Sequence, residues 1–141
     1  MEEEIIRPIA ICVCRNENRI LVAEYLERGR LFYRPLGGGI QFDEYGHEAV
    51  QRELREEIGG ELIEVRYIGL LENIYDIEGA RTHQIVLVYD GRLTDPLFYE
   101  KESLQGDELG EPFKVVWKRL DEFGGGKAPV YPNGLLDLLR D

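Results

Sequence analysis

Three glutamates, Glu53, Glu56 and Glu57, stand in the run Arg52-Glu53-Leu54-Arg55-Glu56-Glu57. On a helix turning about 100° per residue, with Glu53 as zero, Glu56 falls at about −60° and Glu57 at about +40°. One face therefore carries all three carboxylates. Val50, Leu54 and Ile58 fall at about +60°, +100° and +140°, an apolar stripe beside that face. The stripe can dock the helix on a sheet while the acidic face stays at the edge of a cleft. Charges this crowded repel by about 3–4 kcal/mol per pair, at roughly 4–5 Å and an effective dielectric of about 20. A hard divalent cation, Mg²⁺ or Mn²⁺, offsets that repulsion because it prefers carboxylate oxygens. The plainer reading of this run alone is a solvated acidic face, with Arg52 and Arg55 as i,i+4 partners.

The residues before the helix tip the balance. Gly37-Gly38-Gly39 exposes backbone and allows close approach of a phosphate or a metal, and Glu44 lies between the triplet and Arg52. A loop of this kind leading into a helix with three glutamates can hold a metal and a pyrophosphate together. Gly38, Glu44, Arg52, Glu53, Leu54, Glu56, Glu57 and Gly59 match, in register, the box Gx5Ex7REUxEExGU, with U a bulky aliphatic. The stretch resembles the Nudix hydrolase family on these positions. Its one departure is Gly60, which stands where the last aliphatic belongs. That bears on packing after the helix more than on chemistry.

The resemblance implies a fold and a reaction. The fold is an α/β/α sandwich with a mixed β-sheet between helices. The reaction is hydrolysis of a nucleoside diphosphate linked to another group, by water attack at phosphorus with divalent metal help. Carried over by position, Glu53, Glu56 and Glu57 bind Mg²⁺ (or Mn²⁺), with the Gly38 carbonyl as a further ligand. Arg52 pairs with a neighbouring glutamate and holds it, and Glu44 pairs with a cation or helps the water. The general base varies in the family and can be a box glutamate or a downstream acid. Glu100, Glu102, Glu108 and Glu111 offer themselves downstream, and Glu111 is favoured because it lies near the start of the next strand. A binding or regulatory module of the same fold, without turnover, is the alternative. The intact glutamate set argues against it.

Composition narrows the partners. The chain has 141 residues, a net charge of −11 and 43% hydrophobic residues. This suits one domain with a substantial core. The negative charge argues against binding nucleic acid, and an anionic nucleotide would be repelled without a metal to mediate. No apolar stretch is long enough for a membrane helix, and MEEEIIRP lacks the pattern of a signal peptide. Cytoplasm is the expected compartment. Cys12 and Cys14 share a face of a strand-like run and read as buried small hydrophobes. A homodimer is open.

The elements that must position the site follow from periodicity. Strands are expected at 5–14, 19–26, 31–34, 61–74, 82–90 and 113–120, with a turn at Glu78-Gly79. The glycine triplet reads as a loop after Pro35. The box helix runs from about Gly46 to Ile58, with Gly46 near its N-cap. Residues 94–112 read as an acidic loop, Gly124 to Lys127 as a flexible stretch, and the segment from Asn133 as a short amphipathic helix. The triplet lacks the Gly-Lys-Ser/Thr of a P-loop and the GxGxxG of a dinucleotide fold. His47 reads as structural, and His83 could reach the cleft. Arg34 and Arg81 are phosphate candidates. Tyr33, Phe32 and Tyr75 could stack on a base.

Overall fold

The computed structural model describes residues 4–77 and 79–140. The acidic start at residues 1–3, Glu78 of the anticipated turn and Asp141 lie outside the described residues. Strand β1 (Ile6–Asn16) turns into β2 (Arg19–Glu27), and β3 (Arg30–Gly39) leads to helix α1 (Gly46–Ile58). Strands β4 (Leu62–Ile77) and β5 (Ala80–Leu93) form a long antiparallel pair. A four-residue helix α2 (Leu97–Glu100), the hairpin β6 (Ser103–Glu108) and β7 (Glu111–Arg119), a 3₁₀ turn at Leu120–Glu122 and helix α3 (Leu135–Leu139) complete the order.

The sheet runs β4-β5-β1-β3-β2-β7-β6. It is mixed, because β1 and β5 are parallel while the other neighbours are antiparallel. Alternation along β1 explains how both sheet faces are covered. Ala10, Cys12 and Cys14 belong to one buried cluster with Ala49, Val50 and Leu54 of α1. Ile9, Ile11 and Val13 belong to a second, with Phe123, Val130, Leu135 and Leu139. Successive side chains of a strand point to opposite faces, so β1 is the shared floor of two cores, one under α1 and one under α3. The two cysteines are buried and unlinked.

The β1–β2 hairpin is splayed. Its strands pair only beside the turn, at Arg15↔Ile20 and Asn16↔Arg19. Strand β3 fills the opening: Arg30 to Pro35 pair with β2, and Leu36 to Gly39 pair with β1. The glycine triplet is therefore strand, where the sequence suggests a loop after Pro35. Glycine weakens a strand interior, but Gly37 has no alternative here. Its φ is +151°, and an added Cβ would run into the Ala10 carbonyl and the Ile11 backbone. A second segment also grips β3. Tyr33 donates its N–H to the Pro129 carbonyl at 3.0 Å, and its own carbonyl accepts the Tyr131 N–H at 2.8 Å.

Helix α1 has the bounds its periodicity predicts, with Tyr45 rather than Gly46 at the N-cap and Gly59 as the C-cap. Residues 94–112 depart from the expected loop, since they contain α2 and all of β6. Trp117 explains part of this order: its indole N–H donates to the Phe98 carbonyl at 2.9 Å and its ring packs on Tyr99. The Gly124 to Lys127 stretch closes as a turn, with the Lys127 N–H on the Gly124 carbonyl at 2.9 Å. Among the described residues, no helix is long and apolar enough to cross a membrane.

Candidate functional site

Helix α1 lies over β3, with Val50 and Leu54 fully buried beneath it. That docking sets the height of the acidic face. Arg52 is its hub. The guanidinium grips Glu44 with two bonds, Nε to Oε2 at 2.7 Å and Nη2 to Oε1 at 3.0 Å. It also reaches Glu53 at 3.0 Å, Glu56 at 3.4 Å and the Gly39 carbonyl at 3.0 Å. A planar fork suits such bidentate pairing. Glu44 is further fixed by the Gln41 N–H at 3.0 Å. The Arg52 hydrogen bond holds the Glu44 carboxyl below the usual carboxylate range.

The three helix glutamates have different surroundings. Glu56 is the outermost, its side chain 58% exposed against 17% for Glu53. Glu57 is buried and accepts the Gly37 N–H at 3.2 Å. Burial pushes the Glu57 carboxyl up to about 8. The charges of Glu53 and Glu108 push the same way, and the Gly37 N–H and Arg34 offset only part of it. Burial also raises the Glu53 carboxyl, against the opposing hold of Arg52. Gly38 packs directly under Glu53: an added Cβ would lie 2.7 Å from its Oε1. Only a residue without a side chain lets β3 backbone come this near the carboxylate.

As arranged, Glu53 and Glu56 turn to Arg52 while Glu57 turns to Gly37. Among the described residues, no three acidic, histidine or cysteine side chains converge into a closed ligand set. The donor chemistry nonetheless fits a hard cation. The donors are carboxylate oxygens, two of them half-buried or buried, whose charged forms are disfavoured chiefly by burial and further by neighbouring carboxylates.

Other sequence candidates separate clearly. Arg34 is close enough to Glu57 and Tyr25 to bear on the titration of both. Tyr33 is not brought to the acidic helix. It is buried in the α3-side core, edge-on to Phe123, with its hydroxyl on Glu24 at 2.9 Å. Phe32, its neighbour, faces the other way and stacks on Tyr25 at 5.0 Å between ring centroids. Glu111 opens β7 and pairs across the hairpin with Glu108. Of the two, it is Glu108 whose charge acts on both Glu53 and Glu57. Tyr75 accepts a hydrogen bond from Gln84, and Arg81 pairs with Asp76 at 3.4 Å, both on the β4–β5 pair. His83 lies in β5 between Ile6 and Ile74. His47 is exposed and stacks on Tyr45, not tucked against the core.

Sequence reasoning did not single out Tyr25. The signal was present in the hairpin register, because Tyr25 and Phe32 are direct cross-strand partners and such pairs share a face. That reasoning favoured Glu111 for lying near the start of the next strand, and Glu111 does open β7.

A family model for the NUDIX domain matches residues 6–134. Solved structures match over most of the chain. A MutT NUDIX hydrolase from Burkholderia pseudomallei has a TM-score of 0.70 at 18% identity, covering 97% of this chain and 100% of its own. A MutT protein from Methanosarcina mazei Go1 has a TM-score of 0.66 at 20% identity, covering 98% and 93%. The E. coli ORF135 protein has a TM-score of 0.57 at 21% identity, covering 94% and 87%. No curated protein matches the chain.

Proposed function

The chain belongs to the Nudix family, and from that premise we propose that it is a divalent-metal-dependent pyrophosphohydrolase acting on a nucleoside diphosphate linked to another group. The observation that carries this reading is the placement of Glu57 on the Gly37 N–H and of Glu53 against Gly38 of β3, with Arg52 tying Glu44, Glu53 and Glu56 together.

Glu53, Glu56 and Glu57, with the Gly38 carbonyl, would hold Mg²⁺ or Mn²⁺. The metal would supply Lewis-acid polarisation of the diphosphate and a water of lowered pKa. The chain's own residues do the rest. Arg52 orients Glu53 and Glu56 and is itself anchored by Glu44. Its role is positioning. Arg34 and the backbone of Gly37 to Gly39 would meet the diphosphate oxygens. Tyr25 and Phe32 offer a stacked aromatic edge next to Arg34 for the nucleoside, a role that buried Tyr33 cannot fill. Glu108 is better placed than Glu111 to take the proton of an attacking water.

The test is a screen for Mg²⁺- or Mn²⁺-dependent hydrolysis. It covers nucleoside triphosphates, ADP-ribose, nucleotide sugars and dinucleoside polyphosphates, with products identified by mass. Release of a nucleoside monophosphate is expected, and Glu56→Gln should lower turnover by several orders of magnitude while the protein stays folded. Metal binding with no turnover of any of these compounds would instead favour a nucleotide-binding module.

A further inference from the structure

The far end of the parallel β1–β5 pair carries a feature that the hydrolase reading does not use. In a chain of net charge −11, three arginines converge there on a cavity of about 400 Å³: Arg15, Arg66 and Arg92. A cavity of that volume is within the range of small-molecule sites. Ile11 of β1 pairs with Gly37, and Arg15 lies four residues further on, roughly 13 Å away along a strand rising about 3.3 Å per residue. The cavity is also beside α3, since Arg15 donates to the Leu139 carbonyl at 3.1 Å. It is therefore separate from the acidic helix.

Register places these charges. Val13, Asp90 and Arg66 form one row across β1, β5 and β4. Cys14 pairs with Gly91 in the next step, the last of the β1–β5 ladder, and Arg15 and Arg92 each come one residue beyond it. Like charges on neighbouring strands are unfavourable unless something offsets them. Asp90 pairs with Arg66 at 2.7 Å, and Glu64 pairs with Arg92 at 3.2 Å. Among the described residues, Arg66 and Arg92 are thus each paired with a carboxylate, while Arg15 is held by the Leu139 carbonyl. Glu64 accepts two hydrogen bonds from Arg92, at 3.3 and 3.2 Å, but its side chain is 67% exposed, and exposed pairs typically contribute about 0–1 kcal/mol. It reaches Arg92 from a β-bulge, with φ at +57°, a conformation uncommon for a residue with a side chain. Bulges re-aim side chains and are frequent beside functional sites. Tyr99 also lines the cavity, and its hydroxyl accepts the Leu93 N–H at 2.8 Å. The same hydroxyl can also donate to a ligand.

We propose that this cavity is a second ligand site, one that binds the phosphate group of a small phosphorylated metabolite through Arg15, Arg92 and the Tyr99 hydroxyl, with Arg66 at its rim. Guanidinium forks match phosphate oxygens. An incoming phosphate would displace the two solvent-exposed bonds of Glu64 from Arg92.

The experiment is a residue-resolved NMR titration of the full chain with inorganic pyrophosphate and, separately, AMP. EDTA is present throughout so that no metal-mediated binding occurs at α1. Sodium chloride at matched ionic strength is the control. Saturable shifts at Arg15, Gly91, Arg92 and Tyr99 are expected. Arg15→Gln/Arg92→Gln should weaken binding at least tenfold while the remaining spectrum stays dispersed, and Glu56→Gln should leave it unchanged. A response to AMP as well as pyrophosphate would mark a phosphorylated organic ligand, and pyrophosphate alone an inorganic one. No saturable shift at these residues, equal binding by the double variant, or shifts confined to Arg34 and Gly37 to Gly39 would each overturn the proposal.

Discussion

At the scale of single residues, two positions make sharp tests. Gly38 lies under the Glu53 carboxylate. In Gly38→Ala the new methyl must displace Glu53, whose flexible end can move, so the fold should survive. Activity on the preferred substrate should fall at least tenfold, with thermal unfolding near wild type. A fully active Gly38→Ala protein would show that Glu53 need not sit where it does. Glu57 makes a test by pH. Its carboxyl is raised from 4.5 to about 8, chiefly by burial. The folded state therefore holds the proton more tightly than the unfolded state. Its contribution is fully present below about pH 4.5 and is lost as pH rises through about 8. Without metal, the protein should melt at lower temperature at pH 8.5 than at pH 5.5, and Glu57→Gln should flatten that slope. Melting curves in EDTA check this, and an unchanged slope in the variant would assign the effect to other groups.

At the scale of elements, α1 carries most of what could be read in advance. Its acidic and apolar positions obey one period, so its bounds and docking face were legible, while the pairing of Arg52 with a neighbouring glutamate followed from the family resemblance. Leu54 is fully buried where the stripe meets the sheet. Leu54→Ala should cost about 2–5 kcal/mol, read as a lower urea midpoint, and should depress activity through the tilt of α1. A loss well under 1 kcal/mol would mean that α1 is not docked through this stripe. Other elements were less legible for physical reasons. Leu104 is the one large apolar residue of β6, so alternation gives no signal, and α2 is a single turn ordered by Trp117 and Tyr99. The strand through Gly37 to Gly39 was hidden because glycine argues for a loop, while the reason for it lies across the sheet in the backbone of β1. Tyr33 and Phe32 were both expected at a base, and only their opposite strand parity, which depends on register, separates buried Tyr33 from Phe32 on the other face.

For the whole molecule, the organising fact is that β1 floors two cores. Cys12 and Cys14 lie within one of them, each about 1% exposed, and the Cys14 contact together with burial raises the Cys12 thiol well above its usual range. Both thiols should ignore an aromatic disulfide reagent in the folded protein and react together in urea, so labelling speed reports opening of the sheet. Fast reaction of one thiol under native conditions would show that the α1 side opens alone. The grip of residues 129–131 on Tyr33 has a consequence during synthesis. The strand bearing Gly37 to Gly39 leaves the ribosome early, yet one of its edges is completed by a segment made close to a hundred residues later. A nascent chain stalled before residue 129 has every glutamate of α1 but lacks the clasp that seats β3. Such a chain would be a target for chaperones rather than a working fragment.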